Sequence, residues 1–256
     1  MHRLHLLAIV IGVFCADLTY AQDEFSGDSE SPPPGMVWVD PLPVSNFSQE
    51  GDFVLKPYSE RRDLWASAVS LTYSSFEPLY YSSSFQAVNF VEIYGHPSLP
   101  MVELSFSVRR NFEWGGFGGE FSVGAFQSHS MDTTVVDSTL SLNPIRLGAT
   151  VVFDRLMPDP WVVPYLTGGV YEIFFKESQS GTSFNGNTIV APYFVGGLAF
   201  PLDWLDRHAA RVAYYDSGIQ GTFVTMDARQ QMASHQNHDP DFSSDFTYGA
   251  GLRVEF

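Results

Sequence analysis

A chain of 256 residues suffices for one domain of about 200 residues and a tail, and 29 acidic residues against 13 Lys and Arg, a net charge of −16, leave no basic stripe to neutralise nucleic-acid phosphates. Aromatic residues make up 15% of the chain while mean hydropathy is near zero, at −0.03. Strands that are apolar only at alternate positions produce that combination, which is unusual for a soluble enzyme.

At the start, His2 and Arg3 precede the apolar run Leu6–Cys15, and Thr19-Tyr20-Ala21 supplies a small-residue cleavage site, so residues 1–21 read as a signal peptide. The run is too short to cross a bilayer as a helix, and no later stretch approaches the roughly 20 apolar residues needed. Cys15, the single cysteine, leaves with the signal; Phe14 before it is a poor fit to a lipoprotein cleavage site, so no lipid anchor, disulfide or thiolate metal site is expected. Residues 22–58 combine Asp23, Glu24, Asp28 and Glu30 with Pro32-Pro33-Pro34, Pro41 and Pro43, and read as a disordered acidic periplasmic leader. Within it, Met36-Val37-Trp38-Val39 is apolar enough to dock, with the periplasmic mouth of the domain as its nearest candidate.

Residues 59–256 read as strands of period two. The expected spans are 65–76, 101–112, 116–127, 139–153, 162–175, 188–200, 217–229 and 245–256. The second and third form the clearest hairpin, with Val102, Leu104, Phe106 and Val108 opposed to Glu103, Ser105, Ser107 and Arg109, then a turn at Glu113-Trp114-Gly115. Pro144 in the fourth is expected to mark a bulge. The fifth and sixth share a heptad, Pro164-Tyr165-Leu166-Thr167-Gly168-Gly169-Val170 and Pro192-Tyr193-Phe194-Val195-Gly196-Gly197-Leu198. After Pro201, Leu202–Arg211 has helical spacing with Asp203 as a candidate cap; the alternative is a strand starting at Ala209. Long polar segments, about 77–100, 128–138, 176–187 and 230–243, alternate with short connections. The first holds a strand-like run, Phe85–Tyr94, so ten strands is the rival to eight.

The last segment alternates Phe246, Tyr248, Ala250, Leu252, Val254 and Phe256 against Asp245, Thr247, Gly249, Gly251, Arg253 and Glu255. With its terminal Phe256 it resembles the C-terminal signal of bacterial outer-membrane β-barrel proteins, and the Pro-Tyr-x-x-Gly-Gly strands look like those of the small members of that family. The resemblance implies an all-β fold, a transmembrane antiparallel up-and-down barrel of eight strands. It also implies export through the general secretory pathway to the outer membrane, contact with outer-membrane lipid, and recognition of Phe246, Tyr248, Leu252, Val254 and Phe256 by the barrel-assembly machinery. A monomer is expected, with glycine leaving room in a narrow lumen and tyrosine at the membrane interface. A soluble exported sandwich, the alternative fold, would lack aromatic girdles; here Tyr73, Trp161, Tyr165, Trp204 and Phe246 fall near expected strand ends.

Side chains fill an eight-stranded barrel, so the inward charges Glu103, Arg109, Glu120, Arg146 and Arg253, with Glu172 as a further candidate, should lie among one another and pair rather than act as a catalytic cluster. His235 and His238 with Asp239 offer too few fixed ligands for a metal site. His129-Ser130 with Glu120 has the residue types of nucleophilic catalysis without the motifs of barrel enzymes that trim lipid, and Asp216, Asp227 and His208 lack the pattern of barrel proteases. No catalytic residue, cofactor or metal ligand is assigned. The reading is a non-enzymatic outer-membrane barrel with a filled lumen, supporting the envelope or displaying loops; a narrow channel for small solutes and a lipid-modifying rim enzyme are the alternatives.

Overall fold

The computed structural model describes residues 44–47, 53–55, 57–76, 78, 80–85, 88–95, 99–130, 137–234, 236 and 239–256. The signal peptide, Met36–Val39, His235 and His238 lie outside the described residues. Two elements fall in the stretch expected to be disordered: β1 (Val44–Phe47) pairs antiparallel with β2 (Phe53–Leu55), and α1 (Tyr58–Arg61) begins at its last residue. VSNF and FVL carry β-branched and aromatic residues on either side of a polar Ser48–Asp52 link, which is a hairpin pattern that the proline and charge content of the leader as a whole obscures.

Nine longer strands follow: β3 (Trp65–Phe76), β4 (Leu99–Phe112), β5 (Gly115–His129), β6 (Ser138–Val152), β7 (Val163–Gln179), β8 (Thr182–Asn187), β9 (Ala191–Pro201), β10 (Gly221–Gln231) and β11 (Ser244–Glu255). Eight of them pair antiparallel in a closed ring, β3-β4-β5-β6-β7-β9-β10-β11 and back to β3, while β8 folds onto the extension of β7 outside the ring. Closure removes every edge from the ring. Phe256 completes it, exchanging backbone hydrogen bonds with Ser67 at 2.8 and 3.0 Å. The described residues of the run at 85–94 add no strand to the ring; Phe90–Tyr94 is a short helix, α2, and the ring has eight strands.

Alternation puts one apolar residue from each strand on the outside at mid-height. Leu71, Leu104, Phe121, Leu147, Leu166, Leu198, Met226 and Leu252 are between 37% and 56% exposed, a belt around the whole ring. Soluble monomers rarely leave so large a contiguous apolar surface uncovered.

Four local expectations change. Pro144 makes no bulge: Val123↔Ile145 and Phe126↔Leu142 keep one register across it. Its ring lies over Gly124, where an added Cβ would come within 2.6 Å of Pro144 Cγ, so the missing side chain absorbs the proline without a register shift. The helix after β9 is α3 (Arg207–Ser217), later than expected; its cap is Asp206, accepting from Ala209 N at 2.9 Å, and it ends at Gly218 with φ 66°. Asp203 instead pairs with Arg61 of α1.

The fourth concerns the repeated heptads. Tyr165 and Tyr193 face the lumen rather than an interface. The repeats run antiparallel beside each other, setting Tyr165 opposite Gly197 and Tyr193 opposite Gly169. A Cβ on Gly197 would lie 2.5 Å from the Tyr165 ring, and one on Gly148 would lie 2.5 Å from the Tyr193 hydroxyl. Glycine thus makes room for an inward tyrosine from the adjacent strand at Gly197 and from the strand beyond β7 at Gly148, and these rings fill the barrel.

Candidate functional site

The inward faces form three levels. The near level lies at the end holding α1, the start of β3 and Phe256. There Arg109 of β4 pairs with Glu255 of β11, lies 3.4 Å from Asp154 Oδ2 and donates to the Tyr58 hydroxyl at 3.0 Å. The Tyr58 hydroxyl in turn donates to Glu255 Oε1 at 2.7 Å, and Arg62 also pairs with Asp154. Arg109, Asp154 and Glu255 are all buried. The N-terminal α1 therefore caps the ring from inside, and the void beside it, about 10 Å³, has space for no more than one water.

At mid-height Glu103 lies between two arginines, paired with Arg146 and 3.5 Å from Arg229, which also holds Asp227 at 2.8 Å. Arg146 rests over the Tyr193 ring, 5.6 Å from its centroid. Glu120 and Arg253 border the same polar void of about 30 Å³, room for one or two waters, but neither makes an ion pair, and Nε and Nη2 of Arg253 have no hydrogen-bond partner. Of the five inward charges singled out in the sequence, the fold joins only Glu103 and Arg146 directly; Arg109 sits at the near level with Glu255. Glu172 points outward at the far end and accepts from Asn187 at 2.6 Å.

The far level is apolar. Tyr81, Phe90, Ile93 and Tyr94 of the 77–98 connection fill the mouth against Phe76, Phe126, Leu142 and Phe242, with Tyr81 stacked on Phe242 at 4.6 Å. The fastening is Glu177 of β7, 1% exposed, which accepts from Tyr81 Oη at 2.9 Å, Ser84 N at 2.9 Å and Tyr94 Oη at 3.4 Å. Burial, and after it the Glu177 carboxylate, holds both phenols above their usual range, so both stay protonated and donate.

Sequence reasoning missed Asp154, Asp227, Arg229, Glu255, Tyr58 and Glu177 as members of these networks. Asp227, Arg229 and Glu255 were open to discovery, since each lies on the inward parity of its strand. Tyr58 and Asp154 sit in aperiodic segments that carry no such signal.

No catalytic set assembles among the described residues. His129 is exposed at the far rim with Nδ1 3.1 Å from Thr139 Oγ1, and Glu120 is nine residues down β5, about 30 Å along the strand. His208 and Asp216 lie on α3, away from the inward-facing Asp227. Among the described residues no group of His, Cys, Asp and Glu could hold a metal.

A closed up-and-down ring of eight antiparallel strands, apolar outside and polar within, is the architecture of the small β-barrel proteins of bacterial outer membranes. No family model matches the chain, and no curated protein matches it. Among solved structures it is similar to Ail, the attachment invasion locus protein of Yersinia pestis, at 12% identity and a TM-score of 0.43 over 76% of this chain and 100% of that one. It is also similar to the outer membrane protein OprG from Pseudomonas aeruginosa, at 9% identity and 0.46 over 75% and 95%. Neisserial surface protein A is similar at 14% identity and 0.41 over 75% and 96%. These likenesses are distant, and the functional reading rests on the chain's own geometry.

Proposed function

We propose that the protein is a non-enzymatic integral barrel of the bacterial outer membrane whose lumen is shut. Its work is to support the envelope and to hold its far-end connections as a binding surface. The observation that carries this is the filling of the lumen at three levels by buried side chains, with the voids at the near level and at mid-height holding about 10 and 30 Å³. The belt of outward apolar residues meets hydrocarbon, ring closure satisfies the strand hydrogen bonds, and the near mouth, which holds α1 and Phe256, faces the periplasm. Export through the general secretory pathway brings the chain to the assembly machinery, which reads the outward Phe246, Tyr248, Leu252, Val254 and Phe256 of the closing strand. With no edge left in the ring, the barrel works as a monomer.

The mature protein refolded into phospholipid vesicles is expected to run on a gel as a compact band that shifts on boiling. A single unshifted band, with the strands open to added protease, would contradict an inserted barrel.

A further inference from the structure

Four of the five tryptophans lie at the near end, one in each of four successive positions around the ring. Trp65 opens β3, Trp114 is in the β4–β5 turn, Trp161 in the β6–β7 turn and Trp204 between β9 and β10, and all are between 53% and 83% exposed. Exposed tryptophans gathered at one level mark a bilayer interface, where an amphipathic ring has both its media. They place the near boundary of the hydrocarbon.

At the level of that boundary, on the outward strand faces, stands one charge. Among the described residues, Arg110 is the single charged side chain on the outward strand faces at the near end; Glu172, Lys176 and Asp245 lie at the far end. Arg110 is exposed and makes no ion pair. Its register partners on the flanking strands are Trp65 and Phe117, its guanidinium lies 5.5 Å from the Phe112 ring centroid, and Phe112 stacks on Trp114 at 5.7 Å and 2°. An arginine is expensive at the bilayer midplane and nearly free at the interface, where its stem stays among apolar groups and its head reaches phosphate. The planar fork suits a phosphodiester, and the aromatic frame limits where it can swing.

We propose that Arg110, framed by Trp65, Phe112, Trp114 and Phe117, is a binding site for the headgroup phosphate of an anionic phospholipid in the near leaflet, an inference that rests on the membrane-barrel reading. Arginine supplies the anion's partner and the aromatic frame supplies depth. A zwitterionic lipid fits less well because its own ammonium competes for the phosphate.

The test uses the mature protein in phosphatidylcholine vesicles carrying a trace of spin-labelled phosphatidylglycerol or spin-labelled phosphatidylcholine, with electron spin resonance reading the lipid immobilised by the barrel. The wild type is expected to retain phosphatidylglycerol several-fold over phosphatidylcholine. Arg110→Gln should lower that preference by up to about fivefold, while Lys176→Gln, a cation at the far end, leaves it unchanged. Equal preference in wild type and Arg110→Gln, or an equal loss in Lys176→Gln, would overturn the site, as would displacement by inorganic phosphate, which would make free anion the ligand. Boiling-shifted mobility of the same samples separates the two failures. A shifted band without lipid preference sinks the site alone, and no shifted band sinks the barrel reading and the site with it.

Discussion

Arg109→Ala is expected to lower the stability of the folded barrel by about 3–5 kcal/mol, read as a fall in the urea midpoint for loss of the compact gel band in vesicles. The substitution leaves the Glu255 carboxylate, 1% exposed, with the Tyr58 hydroxyl as its remaining hydrogen-bond partner, while Asp154 keeps Arg62. A buried charge stripped of its counter-ion costs far more than the intact pair contributes. The double variant Arg109→Met with Glu255→Leu should therefore recover most of the loss, because no orphaned charge remains. A fall of less than about 1 kcal/mol in the single variant would mean that water already solvates the near level.

Glu103→Ala is expected to be comparably damaging, again about 3–5 kcal/mol, for a different reason. Glu103 serves two cations. Without it Arg229 retains Asp227, but Arg146 loses its ion pair and keeps only the Tyr193 ring. Arg146→Ala in the Glu103→Ala background should add less than it costs alone, giving a coupling of about 1–3 kcal/mol in a double-mutant cycle measured by the same urea titration. Additive losses would show that the two residues are held by their strands independently.

The fold was legible because lipid outside and polar packing inside both obey a period of two. β3 falls on 65–76 as expected, and the other ring strands lie within a few residues of expectation. Parity also names the inward set, including Glu103, Arg109, Glu120, Arg146 and Arg253. It cannot name the pairs, since whether Arg109 meets Glu255 or Glu120 depends on register summed around the ring. The same parity, applied to Tyr165 beside Thr167 and Gly169, points inward; the expectation of an interfacial tyrosine came from resemblance and lost to geometry. Tyr58, Glu177 and the aromatics of the 77–98 connection close the two mouths from segments without strand periodicity, or beyond the reach of the ring. Their role emerges only when the barrel brings residues as far apart as Tyr58 and Glu255 together.

The central claim is a closed lumen, and single-channel recording of the refolded mature protein in a planar bilayer tests it most directly. The proposed function predicts a silent bilayer from samples whose gel band shifts on boiling, because tyrosine, ion pairs and packed aromatic residues occupy the path at three heights. Steady, reproducible openings from those same samples would contradict it and make the protein a channel.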